Sequence, residues 1–173
     1  MRIILFFSIS VFLISCSQTY YVVRHAEKAV QEANMTSDVP LSETGKQRAE
    51  KLKDILKVKR IGLIYSTNTI RTRSTAQQTA DYFRLPITIY SPKPDSAFIS
   101  LLRSKNLNTL VVGHSNTVDD IVNMLCDGKK VAGDLKDTEY DNLYVIKRKG
   151  KNYFLKMISI NFRDFKTIQF STS

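Results

Sequence analysis

Two histidines occur in the 173-residue chain, and each closes a hydrophobic run. His25 follows Tyr20-Tyr21-Val22-Val23-Arg24, and His114 follows Thr109-Leu110-Val111-Val112-Gly113. A third run, Ile61 to Tyr65, ends in Ser66 and soon meets Arg71. Short apolar runs of this kind read as buried strands, so their polar end residues collect at one edge of a sheet. Imidazole and guanidinium together suit phosphate. A ring nitrogen can attack phosphorus, and an arginine fork matches non-bridging oxygens. Nearby arginines also favour the neutral, nucleophilic form of the ring. Metal binding is the other use of histidine. The chain has no paired-histidine spacing and no cysteine cluster, so neither metal nor cofactor is expected.

The elements that position these residues alternate. Strands are expected at 19–24, 61–65, 86–90 and 109–113. Helices are expected at 42–57, 71–84, 95–104 and 116–126, from apolar residues spaced three and four apart. Ser42 is available as an N-cap. Alternation of this kind predicts an α/β fold: a three-layer α/β/α arrangement, with a mostly parallel central sheet and helices on both faces. Leu143–Lys147 and Tyr153–Ile160, joined through Lys149-Gly150-Lys151, predict a C-terminal antiparallel hairpin. The stretches 28–40 and 127–141 read as loops framing the carboxyl edge of the sheet.

The amino terminus reads differently. Met1-Arg2 precedes an apolar run from Ile3 to Ile14, too short to span a bilayer. Residues 1–15 are expected to be a signal peptide. Leu13-Ile14-Ser15-Cys16 resembles the bacterial lipoprotein cleavage box, which implies a lipid on Cys16 and a periplasm-facing, lipid-anchored protein of the bacterial envelope. Residues 16–18 are then a short tether and 19–173 the domain. Cys126, the other cysteine, reads as a core residue on a helix. The charge is +10, which favours anionic partners. The basic residues are scattered along the sequence, so nucleic acid is not expected.

Four segments in order resemble the histidine phosphatase superfamily, the phosphoglycerate mutase-like proteins. They are Arg24-His25-Ala26-Glu27-Lys28; Leu41 to Gly45 followed by Gln47 and Ala49; Ser66 with Arg71 to Ala76; and Val111 to Thr117. The resemblance covers nearly all of residues 19–160. It implies that His25 attacks phosphorus and carries the phosphoryl group. It implies that Arg24, Arg71 and His114 bind substrate oxygens and stabilise the transition state. Arg73, two positions from Arg71 along a helix, is expected on another face. The proton donor stays open. One branch of the family places Asp directly after the second histidine, where this chain has Ser115. Another places Glu after the second arginine helix, where the nearest acid is Asp95, which equally fits a helix N-cap. Glu27 and Asp141 are further candidates, and Glu27 could equally pair with Lys28 or the backbone.

The implied activity is metal-independent hydrolysis of a phosphate monoester or a phosphohistidine. Family mutases carry longer insertions over the site, for which this chain has little room. Its size and Ser115 are similar to the small phosphohistidine phosphatases, while an envelope address points away from cytoplasmic signalling proteins. The alternative is a non-catalytic phosphate- or polyanion-binding envelope lipoprotein.

Overall fold

A computed structural model describes residues 17–31, 38–160 and 167–168. The expected signal segment and Cys16 lie outside the described residues. Among the described residues, seven strands form one sheet in the order β3-β2-β4-β1-β5-β6-β7. In chain order the elements are β1 (Ser17–Arg24), α1 (Glu43–Leu56), β2 (Leu63–Ser66), α2 (Ile70–Phe83), β3 (Ile87–Ile89), α3 (Ser96–Ser104), β4 (Thr109–Gly113), α4 (Val118–Leu125), β5 (Asn142–Lys149), β6 (Asn152–Ser159) and β7 (Thr167–Ile168). Strands β3, β2, β4 and β1 pair in parallel, and β5, β6 and β7 extend the sheet antiparallel from β1. This is the expected α/β architecture, hairpin included.

Alternating strand side chains divide the core in two. Tyr20 and Val22 of β1 join Val111 of β4 and Ile146 of β5 beneath α3 and α4. Tyr21 and Val23 join Ile64, Leu110 and Val112 beneath α1 and α2. Each fully buried Leu or Ile stabilises the fold by roughly 1.5–3 kcal/mol relative to exposure. Local signals agree with this packing. Ser42 caps α1 by accepting from Gly45 N, and Thr69 caps α2 by accepting from Thr72 N. Among the described residues no helix is long and apolar enough to cross a membrane.

Two expectations shift. Strand β1 begins at Ser17, so Ser17 and Gln18 belong to the sheet rather than to a tether. Gln18 is buried, and its amide donates to Leu102 O at 2.9 Å and Leu107 O at 3.2 Å. These bonds satisfy a polar side chain that would otherwise break the strand. The two-residue β7 was not expected, because nothing in so short a segment carries a periodic pattern.

Candidate active site

The sheet order explains how residues 89 positions apart meet. β4 lies between β2 and β1, with Arg24 opposite Gly113. The next residues, His25 and His114, therefore leave adjacent strand ends side by side. His25 N donates to Gly113 O at 2.9 Å, and the two rings stand 5.6 Å apart, edge to face. β2 pairs with β4 so that Ser66 lies opposite Val112. Its following residue, Thr67, arrives at the same edge.

His25 is held from both sides. Ala26 N donates to Thr75 Oγ1 at 2.9 Å, and Thr75 Oγ1 donates to Arg71 O at 2.8 Å, tying the loop to α2. Glu27 O accepts from Ser42 N at 2.9 Å, tying it to the start of α1. Gly45 makes that approach possible, since a Cβ there would sit 2.1 Å from Glu27 O. The His25 ring is 5% exposed. Burial pushes its pKa down to about 3; a hydrogen bond to Ala26 opposes this, and Arg24, Arg71 and His114 reinforce it. The ring is therefore neutral near pH 7. Its Nδ1 lies 2.8 Å from Ala26 O. A carbonyl only accepts, so Nδ1 carries the proton and Nε2 keeps its lone pair.

His114 is fixed in the opposite tautomer. Arg71 Nη2 donates to its Nδ1 at 3.5 Å, so Nε2–H donates to Thr67 Oγ1 at 2.8 Å. Thr67 in turn donates to Thr72 Oγ1 at 3.0 Å. Burial lowers the His114 pKa to about 4, with Arg71 and Arg24 adding to the effect. Arg71 Nη1 also donates to Asp38 Oδ1 at 3.2 Å, and Asp38 accepts from Ile70 N at the head of α2. Arg24 is 5% exposed. Its guanidinium carbon stacks 4.1 Å over the Tyr140 ring, and its Nη1 donates to Lys136 O at 2.8 Å. Its Nε is buried with no protein partner, a donor left for a ligand.

Arg24, His25, Arg71 and His114 line one cavity of about 440 Å³, together with Lys28 and Asn116. Thr69 and Thr117, the residues before α2 and α4, also line it. Two helix amino termini thus add their partial positive charge to that of the cations. The arrangement is an oxyanion cradle around a neutral imidazole. A larger cavity, about 590 Å³, lies around Arg103 and Asp127, away from both histidines.

The candidate acids do not join this group. Glu27 pairs with Arg48 through both carboxylate oxygens. Burial would raise its pKa, but the Arg48 fork holds it below the usual carboxylate range. Lys28, free of that expected pairing, turns to the cavity instead. Asp95 caps α3, accepting from Phe98 N at 2.8 Å. Asp141 accepts from Ser159 Oγ at 3.0 Å. Among the described residues the carboxylate that lines the cavity is Asp137, whose side chain is wholly exposed. Arg73 lines shallow surface hollows with Gln77, as the helical spacing requires. Ser66 turns away, donating to Thr67 O. Cys126 is half-buried just past α4, and burial pushes its thiol up to about 11. Sequence reasoning missed Thr67, Asp38 and Tyr140. Thr67 was within reach, since it follows β2 as the histidines follow β1 and β4. Asp38 and Tyr140 lie in loops without periodic signal. Among the described residues no group of three His, Cys, Asp or Glu is placed to hold a metal ion.

No curated protein sequence matches the chain significantly. Among solved structures, it is similar to the protein histidine phosphatase SixA complexed with tungstate, with TM-score 0.65 and 20% identity, covering 82% of this chain and 97% of that one. It is similar to a putative phosphohistidine phosphatase SixA from Agrobacterium tumefaciens, with TM-score 0.60 and 22% identity, covering 79% and 94%. It is also similar to a putative alpha-ribazole-5'-P phosphatase from Escherichia coli K-12, with TM-score 0.62 and 16% identity, covering 82% and 96%. At these identities the likeness speaks for the fold. The sequence itself matches the model of the histidine phosphatase superfamily (branch 1) over residues 20–91, the stretch holding Arg24, His25 and Arg71. The chain is thus similar to the histidine phosphatase superfamily in sequence over residues 20–91, and it shares the fold of the SixA structure over 82% of its length.

Proposed function

We propose that the protein is a metal-independent phosphatase working through a phosphohistidine on His25. The observation that carries this is the His25 tautomer: a neutral ring with Nδ1–H committed to Ala26 O and Nε2 unprotonated in a cationic cavity. The Nε2 lone pair forms the bond to phosphorus as the bond to the leaving group breaks. The leaving atom departs with that electron pair and takes up a proton. Water then attacks phosphorus, the P–Nε2 bond breaks, and the lone pair returns to the ring. Its proton passes to solvent or to the phosphate released. Arg71, the Arg24 Nε–H and Lys28 hold the non-bridging oxygens and neutralise the charge that develops there. An arriving dianion replaces the Arg71 contact at His114 Nδ1. The added negative charge favours a protonated, donating His114.

No buried carboxylate faces the cavity among the described residues, which favours leaving groups that need little protonation. Aryl phosphates and phosphohistidine, with its nitrogen leaving atom, fit that requirement. Steady-state turnover of an aryl phosphate tests the reading. The wild-type chain hydrolyses it and His25→Ala loses at least a thousandfold; normal turnover by His25→Ala would remove the mechanism.

We further propose that a lipid on Cys16 anchors the protein in the bacterial envelope, with the domain facing the periplasm. The support is the Leu13-Ile14-Ser15-Cys16 box after an apolar run. Metabolic labelling of cells with a radioactive fatty acid tests it: Cys16→Ser removes the label, and unchanged labelling refutes the assignment.

A further inference from the structure

The basic residues that are scattered in sequence are gathered in space. The amino edge of the parallel sheet, opposite the cavity, is built from three segments: 57–62 before β2, 105–108 before β4, and 147–152 around the β5–β6 turn. None of the three contains an acidic residue. They carry Lys59, Arg60, Lys105, Lys149 and Lys151, among others, while Lys57 pairs with Asp54 at the end of α1. The segments form one surface. Asn108 Nδ2 donates to Lys59 O at 2.7 Å, Thr19 N donates to Asn108 Oδ1 at 3.0 Å, and Ser17 pairs with Lys149 across the β1–β5 ladder. Val58, 72% exposed, and Leu107, 47% exposed, stand among the cations. At the cavity pole the cations are interspersed with acids: Asp38 pairs with Arg71 and Asp137 with Arg24, and Glu139 and Asp141 lie in the same loops.

We infer that this amino edge is a docking face for an anionic phospholipid bilayer, which holds the catalytic cavity pointing away into the aqueous phase. Charge complementarity is the first argument: clustered lysines and arginines beside exposed aliphatic side chains suit acidic headgroups and the shallow apolar layer beneath them. The second is where the chain leaves the fold. The apolar run Ile3 to Ile14 joins the domain at Ser17, and Ser17 sits on this face. Insertion of that run before cleavage, or of a lipid on Cys16 after it, brings this edge to the bilayer. The third is distance. β1 runs eight residues from this edge to Arg24, which sets the cavity roughly 25 Å above the headgroups. Substrate therefore arrives from water and not from the bilayer. The face acts whether or not Cys16 is acylated.

Vesicle co-sedimentation separates the face from the anchor. Full-length chains carrying Cys16→Ser are compared on phosphatidylcholine vesicles and on vesicles one-third phosphatidylglycerol. All share residues 1–16, so the contribution of the apolar run cancels. The wild-type face gives at least tenfold tighter binding to the anionic vesicles at low salt, lost at ~1 M salt, where screening falls to ~3 Å. Lys105→Glu/Lys149→Glu/Lys151→Glu abolishes the preference, and the Gln triple reduces it. Arg73→Glu/Lys129→Glu/Lys130→Glu, elsewhere on the surface, keeps it. Turnover of a soluble aryl phosphate is unchanged on the vesicles and in the face variants, which also reports folding. Equal binding to both vesicles, a preference that survives the face triple, or turnover blocked on vesicles overturns the inference. Tighter binding to duplex DNA than to anionic vesicles also overturns it.

Discussion

Acidification should destabilise the protein through His25, by an amount the structure sets. Its ring titrates near 6.5 when unfolded and near 3 when folded. Between those values only the unfolded state holds the proton, so stability rises with pH across the window and is lost as pH falls below 6.5. At about pH 5 the loss, at ~1.4 kcal/mol per pH unit below 6.5, is about 2 kcal/mol. Above about pH 7.5 the contribution is flat. His114, depressed to about 4 and half-exposed, acts in the same direction. Urea unfolding of wild type and His25→Gln at pH 7.5 and 5, in phosphate-free buffer, isolates the His25 share. Gln keeps a donor for Ala26 O but cannot titrate. The variant should lose about 2 kcal/mol less than wild type between the two pH values. Equal losses would mean that the ring is not buried neutral, and the nucleophile assignment would lose its physical basis.

Other consequences follow from the same contacts. Arg71→Ala should lower kcat/KM for an aryl phosphate by about 10²–10³, with Arg71→Lys recovering part of it, because a point charge replaces a fork; equal activity in all three would remove Arg71 from the cradle. Glu27→Gln should cost about 1–3 kcal/mol in chemical denaturation by breaking the Arg48 pair, yet leave the pH–rate profile unmoved, and Asp95→Asn should leave it unmoved too. A lost basic limb in either variant would restore that carboxyl as the proton donor. Gly45→Ala should destabilise by about 1–3 kcal/mol and lower kcat, since its Cβ would meet Glu27 O at 2.1 Å and shift the loop that aims His25; a neutral Gly45→Ala would show that the approach is slack. Dialysis against a chelator should leave turnover intact, and loss restored by a divalent ion would replace histidine chemistry with metal chemistry.

The four parallel strands and four helices were legible in sequence because each carries a short apolar run or a three-and-four repeat. His25 and His114 were legible as a pair because strand ends in an α/β sheet share one edge. What that rule could not supply was loop geometry. Asp38 meets Arg71 and Tyr140 stacks on Arg24 through segments with no repeat. Glu27 stood next to Lys28 in sequence, but its partner is Arg48, 21 positions away on α1. Charge misled in the same way: lysines scattered along the chain converge at the amino edge once the connections before β2 and β4 are laid side by side.

The central claim is a covalent bond between phosphorus and His25, and trapping that bond tests it most directly. Brief reaction with a ³²P-labelled aryl phosphate, quenched in alkali, should leave label on the protein that survives base and is released by mild acid. Peptide mapping should place it on the segment holding His25, and His25→Ala should carry none. Label on another residue, or full turnover with no acid-labile label under rapid quench, would contradict the account.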